Sequence, residues 1–371
     1  MIKILHTGDF HLDSPFTGVD FPTAERLRNE LRNIFIDVVE LAGKHDMLLI
    51  AGDLFDCGYV SPDTLALVRD SLAAYGKPVV IAPGNHDPYS SGSIWTAAAW
   101  PENVHIFDSE ELSVFKFDVG GQRVAVHGWG FSSPALERSP LSDGIMIDPA
   151  AINLICAHAD ILSPISRYAP TPLSLFSVSG CAYAALGHIH NVPDVALAGR
   201  TTVAYCGFPE GRSYDEEGEG GVLSVTIEEG RAPMIERIVT SKHKYLTRHL
   251  EITGLGSDAE VAARIVELAR NEKCDKNVSL KVYLEGSIPP DYVPNAAQID
   301  LLAGLSLCSL KLRDRTAPIF GAEYLESDMT IKGELYRTLL PRLSSTDETE
   351  RRIAADALRI GLLALEGRAF I

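Results

Sequence analysis

The sequence predicts an α/β protein, two packed β-sheets flanked by helices over residues 1–240, with a smaller α+β unit after them. Three observations predict it. Near-continuous apolar runs of strand length ("IKIL", "MLLIA", "PVVIA", "INLICA", "YAALG") recur through the first 240 residues, the pattern of strands buried on both faces. A helix-length segment separates the first two runs and makes a β-α-β unit. The composition then changes near "TSKHKY" (240–245), where a domain boundary is expected.

In chain order, the first helix is expected over "AERLRNELRNIFIDVVELAGKHD". Its Leu27, Leu31, Ile34, Val38 and Leu41 recur at spacings of 4, 3, 4 and 3, one face of a helix. Later runs ("LSVFKF", "RVAVHGWGF", "TTVAYCG", "GVLSVTIEEG", "MIERIVT") come closely spaced with glycine turns and predict a more antiparallel sheet. "PEGRSYDEEGEGG" (209–221) reads as an acidic, glycine-rich loop. Beyond it, the helix "DAEVAARIVELARN" lies between the strands "RHLEITG" and "VSLKVYLEG".

The organisation expected is therefore a domain over 1–240, a second over 241–343, and a C-terminal helix over 344–371. That helix opens with Ser345 and Glu348 at capping-box spacing. It carries two apolar rows: Ile353, Ala357, Ile360 and Ala364, then Leu358, Leu362 and Leu365. Two rows imply two buried sides, both within its own domain or one against a partner.

Composition excludes some classes. The net charge of −17 is uneven: residues 1–240 hold 15 Lys and Arg against 31 Asp and Glu, and residues 241–371 hold 18 against 19. An acidic surface repels phosphate backbones, which argues against a protein that coats nucleic acid through its own charge. A phosphate substrate remains compatible where bound cations dominate the local field. No apolar run approaches the roughly 18 residues of a membrane span, and "MIKILHTGDF" turns polar too early for a signal peptide. The six cysteines (Cys57, Cys156, Cys181, Cys206, Cys274, Cys308) form no C-x-x-C pair, which suits reduced thiols and a cytoplasmic location.

The chemistry gathers where strands end. Asp9 and His11 follow the first strand, Asp53 and Asp56 the second, and Asn85, His86 and Asp87 the third; His158 ends the fourth, with His188 and His190 after the fifth. A lone histidine after a strand is ordinarily a core or turn residue, and a lone G-D is ordinarily a turn. Five such endings together are specific, because ligands of open α/β sheets sit at the carboxyl ends of strands. The donors are nitrogen and oxygen only, which suits Mn, Fe, Zn or Mg and not a thiolate zinc site. One carboxylate, Asp53, between two imidazole-rich sets reads as the bridge of a two-metal centre.

The series D-x-H (9–11), G-D-x-x-D (52–56), G-N-H-D (84–87), H (158) and G-H-x-H (187–190) is similar to the calcineurin-like metallophosphoesterases. "HTGDFHLDSPF", with Asp in G-N-H-D, resembles the SbcD/YhaO-like DNA repair exonuclease branch. The resemblance covers residues 1–240 and implies a four-layer α/β/β/α metallophosphoesterase sandwich with a small α+β capping domain.

Carried over by position, the resemblance implies one metal at Asp9, His11, Asp53 and His190, and a second at Asp53, Asn85, His158 and His188. His86 is then the catalytic histidine, with Asp87 orienting its ring; Asp56 is either a carboxylate that orients a metal ligand or an exposed turn residue. Two divalent ions about 3.5–4 Å apart can activate a bridging hydroxide for in-line attack on a phosphodiester. Manganese is the first expectation for both ions. Substrate contacts are sought at His127, Arg26 and Arg212, with Arg28, Arg32 and the basic cluster Lys242, Lys244, Arg248 and His249 as further candidates for a phosphate path. Where the family pattern places a lysine before glycine, this chain has Glu219.

The function implied is exo- or endonucleolytic cleavage of DNA in repair. The partners implied are DNA, an SbcC-like coiled-coil ATPase and, for the C-terminal helix, that ATPase or a second copy of this chain. Two alternatives stand beside it: hydrolysis of a small phosphodiester, such as a cyclic nucleotide or nucleotidyl compound, and a non-catalytic scaffold with a vestigial metal site.

Overall fold

Every apolar run singled out above forms a strand. The computed structural model describes residues 1–17, 19–56, 60–191, 195–228, 230–289, 292–318, 321–365 and 367. The chain divides into two units, Met1–Lys244 and Tyr245–Ile371.

The first unit runs β1 (Ile2–Thr7), α1 (Phe21–Ala42), β2 (Met47–Ile50), α2 (Pro62–Tyr75), β3 (Val79–Ile81), α3 (Ile94–Ala97) and β4 (Val104–Ile106). It continues with β5 (Ser113–Val119), β6 (Gln122–Gly128), β7 (Ile152–His158), α4 (Leu173–Ser177), β8 (Tyr183–Gly187), β9 (Ala196–Ala198), β10 (Thr201–Tyr205), β11 (Gly221–Ile227) and β12 (Met234–Val239). One sheet has the order β12-β11-β1-β2-β3-β4, parallel from β1 to β4. The other has the order β5-β6-β7-β8-β10-β9.

The expected antiparallel character holds only at the edges. β5 pairs antiparallel with β6, β9 with β10, and β11 with both β1 and β12, but β6, β7, β8 and β10 are mutually parallel. The reason is connection length. Tight glycine turns such as Gly120–Gly121, both at positive φ, make hairpins, whereas the long connections after β6 and β7 permit parallel crossovers.

Alternation along the strands builds the layers. Ile2, Ile4, Met47 and Leu49 of the first sheet meet Val124, Val126, Leu154 and Ala185 of the second between the sheets. The first sheet's outer face (Leu5, Leu48, Ile50, Ile81) packs on Leu31, Ile34, Phe35 and Val38 of α1 and on Leu72 of α2. The second sheet's outer face (Ile155, Ala184, Leu186) is covered by Phe176 of α4 and by Trp129 and Phe131. This is the α/β/β/α order expected. α1 starts before the predicted segment because Asp20 caps it, accepting the Thr23 N–H at 2.9 Å.

The sheets are tied below the strand ends by His6, buried between them, whose Nδ1 lies 2.8 Å from the Tyr183 hydroxyl. Burial pushes the His6 imidazole down to about 3, so the tie is a neutral one.

The second unit contains β13 (Lys244–Glu251, its first residue in the first unit), α5 (Asp258–Asn271), β14 (Val278–Glu285), β15 (Ser287–Ile288), α6 (Ala296–Ala303), β16 (Ser309–Asp314), β17 (Ala317–Pro318), α7 (Ala322–Ser327), α8 (Ile331–Leu343) and α9 (Glu348–Leu365). α5 and α6 cover the sheet β13-β14-β16 through Ile265, Ile299, Leu280 and Val282.

α9 departs from expectation at its cap. Asp347, not Ser345, caps it, its carboxylate accepting the Thr349 and Glu350 N–H groups at 2.8 and 3.3 Å. It also buries one stripe, Leu358 and Leu362 against Leu325 and Tyr336, while Ile353 and Ile360 stay exposed.

Among the described residues no helix is long and apolar enough to cross a membrane. Cys156, Cys181, Cys206, Cys274 and Cys308 are free thiols; Cys57 lies outside the described residues.

Candidate metal centre

The carboxyl ends of β1, β2, β3, β7 and β8 lie along one edge of the two sheets, and the side chains that follow them converge there. Backbone hydrogen bonds lace the first two motifs together: Asp9 N–H to Gly52 O, His11 N–H to Asp53 O and Leu12 N–H to Leu54 O, each 2.9 Å. Asp9, His11, Asp53 and His188 hold φ of 51°, 47°, 47° and 104°, conformations rare outside glycine. Such strain persists where the surroundings over-determine it, and it concentrates at functional sites.

Packing explains the glycine before these ligands. A Cβ on Gly52 would stand 2.3 Å from His158 Nδ1, and one on Gly84 would stand 2.2 Å from Asp53 Oδ1. Neither position admits a side chain.

Three sets of donors lie within metal-ligating distance of one another: Asp9, His11 and His190; His11, Asp53 and His86; and Asp9, Asp53 and His158. The bonding around them fits divalent cations. His158 Nδ1 lies 3.0 Å from the Ala51 carbonyl, so it carries the proton and leaves Nε2 a lone pair. That lone pair faces the Asn85 side-chain oxygen at 3.0 Å and Asp53 Oδ2 at 3.4 Å, three electron-rich atoms around one point. His11 is buried, and among the described residues neither of its ring nitrogens has a hydrogen-bond partner, although burial of an unpaired polar atom is costly. Its Nε2 stands 3.7 Å from Asp53 Oδ2. Cations among these atoms would satisfy both arrangements.

His190 is braced as metal-bound histidines are. Its Nδ1 is 2.9 Å from the buried Glu216 carboxylate and its Nε2 is 3.5 Å from Asp9. Burial opposes its charge, but the Asp9 and Glu216 carboxylates prevail and raise it to about 10. His188 joins none of the close sets. Its ring packs on His158 and Tyr168, with centroids 5.1 and 4.7 Å away, and its N–H donates to the Asp9 carboxylate.

The partner of His86 differs from expectation. Asp56 Oδ1, not Asp87, lies 2.8 Å from His86 Nδ1, and this bond raises the pKa of the ring. Asp87 points the other way and is buried. Its two oxygens accept the N–H groups of Gly84 at 2.7 Å, Leu54 at 2.8 Å and Phe55 at 3.1 Å, which pins the 84–87 loop to the 53–55 loop. Three inward N–H donors outcompete one imidazole at the surface. The His86 ring also stands within ligating reach of His11 and Asp53.

Arg212 reaches this centre, while Arg26 and His127 do not. Arg212 Nη1 lies 3.7 Å from Asp56 Oδ2, and its Nε donates to Glu216 Oε1 at 3.0 Å. Arg26 is on the α1 surface, paired with Glu30 at 2.6 Å. His127 is buried in β6, bonded to Asn153 at 3.0 Å, and opens on a separate cleft with Glu111, Ser113 and Arg138. The other basic candidates face carboxylates: Arg28 with Glu25, Arg32 with Asp13, Lys242 with Asp37, Lys244 with Glu219, Arg248 with Glu272 and His249 with Glu285. Glu216 was not predicted; its only signal was the i, i+4 spacing from Arg212 inside a loop that reads as merely acidic.

Sheets, strand-end ligands and a braced histidine define a metallophosphoesterase domain. The family model for calcineurin-like phosphoesterases matches residues 2–192, and the chain belongs to that family, whose members use a dinuclear metal site. The chain is similar to the uncharacterized metallophosphoesterase YhaO of Bacillus subtilis, 31% identical over 243 residues, which is 62% of this chain and 58% of that one. It is also similar to the DNA double-strand break repair protein Mre11 of Aeropyrum pernix, 29% identical over 277 residues, 69% of this chain and 65% of that one. The chain thus spans less than two thirds of the length of either relative.

Proposed function

We propose that this chain is a two-metal phosphodiesterase that cleaves DNA as an exo- or endonuclease in repair. The observation that carries the reading is the convergence of His158 Nε2, Asn85 Oδ1 and Asp53 Oδ2 beside a histidine held by a carboxylate. In this reading Asp9, His11, Asp53 and His190 hold one cation, and Asp53, Asn85, His158 and His188 hold the other. Manganese is the first expectation, with iron, zinc or magnesium as alternatives. Bound divalent cations supply Lewis-acid charge and a nucleophile from water.

The chain's own groups do the rest. Asp56 accepts a hydrogen bond from His86 Nδ1 and leaves Nε2 to carry a proton that can pass to the leaving alkoxide as the phosphorus–oxygen bond breaks. Asp87 keeps the loop that carries His86 in place. The likeness to a DNA double-strand break repair protein supports DNA as substrate and an SbcC-like coiled-coil ATPase as partner. The exposed Ile353 and Ile360 row of α9 suits a docking helix.

A small phosphodiester is the second reading, favoured by the acidic first unit and its paired basic residues. Metal analysis followed by assays with manganese separates the two. The nuclease reading expects two ions per chain, faster turnover of bis(p-nitrophenyl) phosphate than of p-nitrophenyl phosphate, and manganese-dependent degradation of DNA. Asp53→Asn should lose at least one ion and nearly all activity. Cleavage of cyclic nucleotides with no action on any DNA form would move the conclusion to the small substrate.

A further inference from the structure

The 209–221 loop places one arginine between the two histidines that the proposed chemistry depends on. Arg212 is largely buried, its side chain 16% exposed, with the Glu216 and Asp56 side chains at 3% and 11%. Its fork divides. Nε and Nη2 point at Glu216 Oε1, and the Arg212 backbone N–H donates to Glu216 Oε2 at 2.7 Å. Nη1 faces Asp56 Oδ2 at 3.7 Å.

Each of these carboxylates also holds an imidazole. Glu216 takes His190 Nδ1 at 2.9 Å, and Asp56 takes His86 Nδ1 at 2.8 Å. The chain of contacts is therefore His190, Glu216, Arg212, Asp56, His86, and it links a candidate ligand to the candidate proton donor through one guanidinium.

We propose that Arg212 is a positioning residue, not a phosphate clamp: one cation that fixes both orienting carboxylates and so couples metal affinity to turnover. The inference rests on the two-metal phosphodiesterase reading. Three features carry it. Nε and Nη2 of the fork are taken by Glu216, and Nη1 is turned toward Asp56. A divided fork is planar and rigid, so moving one carboxylate disturbs the other. Without the cation, both carboxylates would lose the counter-charge they share, and each would be freer to leave its histidine.

The prediction is specific because Arg212 acts through other groups. In the full chain, Arg212→Ala should weaken manganese binding to the metal-stripped protein by about 10–100-fold, the usual consequence of losing support around a metal-bound histidine. It should also lower kcat on bis(p-nitrophenyl) phosphate at saturating manganese, with KM changed less than either. Added to Glu216→Gln, it should weaken manganese binding by less than about threefold further, since effects that run through one contact do not add. Added to Asp56→Asn, it should lower kcat little further. Arg212→Lys keeps the charge and loses the fork, and it should fall between; it decides the matter should the alanine variant not fold.

Calorimetric manganese titration and steady-state kinetics read both quantities. An Arg212→Ala enzyme with a KM raised tenfold or more, and with manganese affinity and kcat retained, would be a lost phosphate clamp and would overturn the inference. So would full additivity in the double variants. Failure of the wild-type chain to bind manganese or to cleave a diester would instead remove the reading beneath it, and the two failures are seen in different proteins.

Discussion

Gly84 offers the sharpest test of where Asp53 must sit. It lies outside the left-handed region of backbone space, so alanine meets no conformational penalty there and the whole effect is steric. The added Cβ would stand 2.2 Å from Asp53 Oδ1, 2.8 Å from Asp53 N and 2.9 Å from Asp53 Cγ, where ordinary contact begins at 3.4 Å. Relief requires a shift of roughly 1 Å in the Asp53 carboxylate, a misplacement that costs on the order of 100-fold in a preorganised site. The 2.9 Å bond from His86 N–H to Asp53 Oδ1 would be disturbed by the same shift.

Overpacking of this kind destabilises by about 1–3 kcal/mol, or about 2–4 °C in Tm per kcal/mol for a unit of this size. Gly92→Ala is the control: φ is +80° and nothing lies within 4 Å. It should cost about 1–2 kcal/mol through backbone strain and leave manganese affinity alone. Thermal melting, manganese calorimetry and diester turnover on the three proteins are the assay. Wild-type manganese affinity and turnover in Gly84→Ala would refute the assignment of Asp53 as the shared ligand.

Two further outcomes are expected. His86→Ala should retain both metals and lose about a hundred- to ten-thousand-fold in rate; an emptied metal site in that variant would make His86 a ligand instead. Burial lifts the Glu210 carboxyl to about 7, against the pull of the Lys242 and His243 N–H groups. The folded chain therefore holds an extra proton between about pH 4.5 and 7, so this contribution to stability is complete below 4.5 and is lost as pH rises to about 7, on the order of 3 kcal/mol in all. Urea unfolding of wild type and Glu210→Gln across pH 5–8 measures it, and parallel curves would show that Glu210 carries no such linkage.

Strands and candidate ligands are legible in the sequence for the same reason. A strand buried on both faces must be apolar throughout, so a charged or imidazole side chain directly after it stands out. Asp9, Asp53 and His158 were found that way. Partners were much harder to read. Asp87 follows His86 directly, yet successive side chains need not face one another, and three backbone donors from a neighbouring loop claimed it. Asp56 is thirty residues from His86 in sequence and is joined to it only by the parallel pairing of β2 with β3. Glu216 belongs to a loop whose acidity hid its burial, which it shares there with Glu210. Sheet order failed where direction depends on connection length, as between β6 and β7, because apolar pattern carries no information on strand direction.

The charge distribution then bears on how a phosphate substrate could approach. The first 240 residues hold 31 acidic against 15 basic residues, and Arg26, Arg28, Arg32, Lys242 and Lys244 each face a carboxylate. Attraction for a polyanion therefore has to come from the centre itself. Two divalent cations held there would bring four positive charges against the carboxylates of Asp9 and Asp53 and would leave a positive focus in an otherwise repulsive field. Arg212 adds little to that focus, because Glu216 and Asp56 already face it. The metals would then serve recognition as well as chemistry. Metal-stripped protein should bind DNA poorly at any salt, and metal-loaded protein should bind with a shallow salt dependence, since few phosphates are neutralised at once.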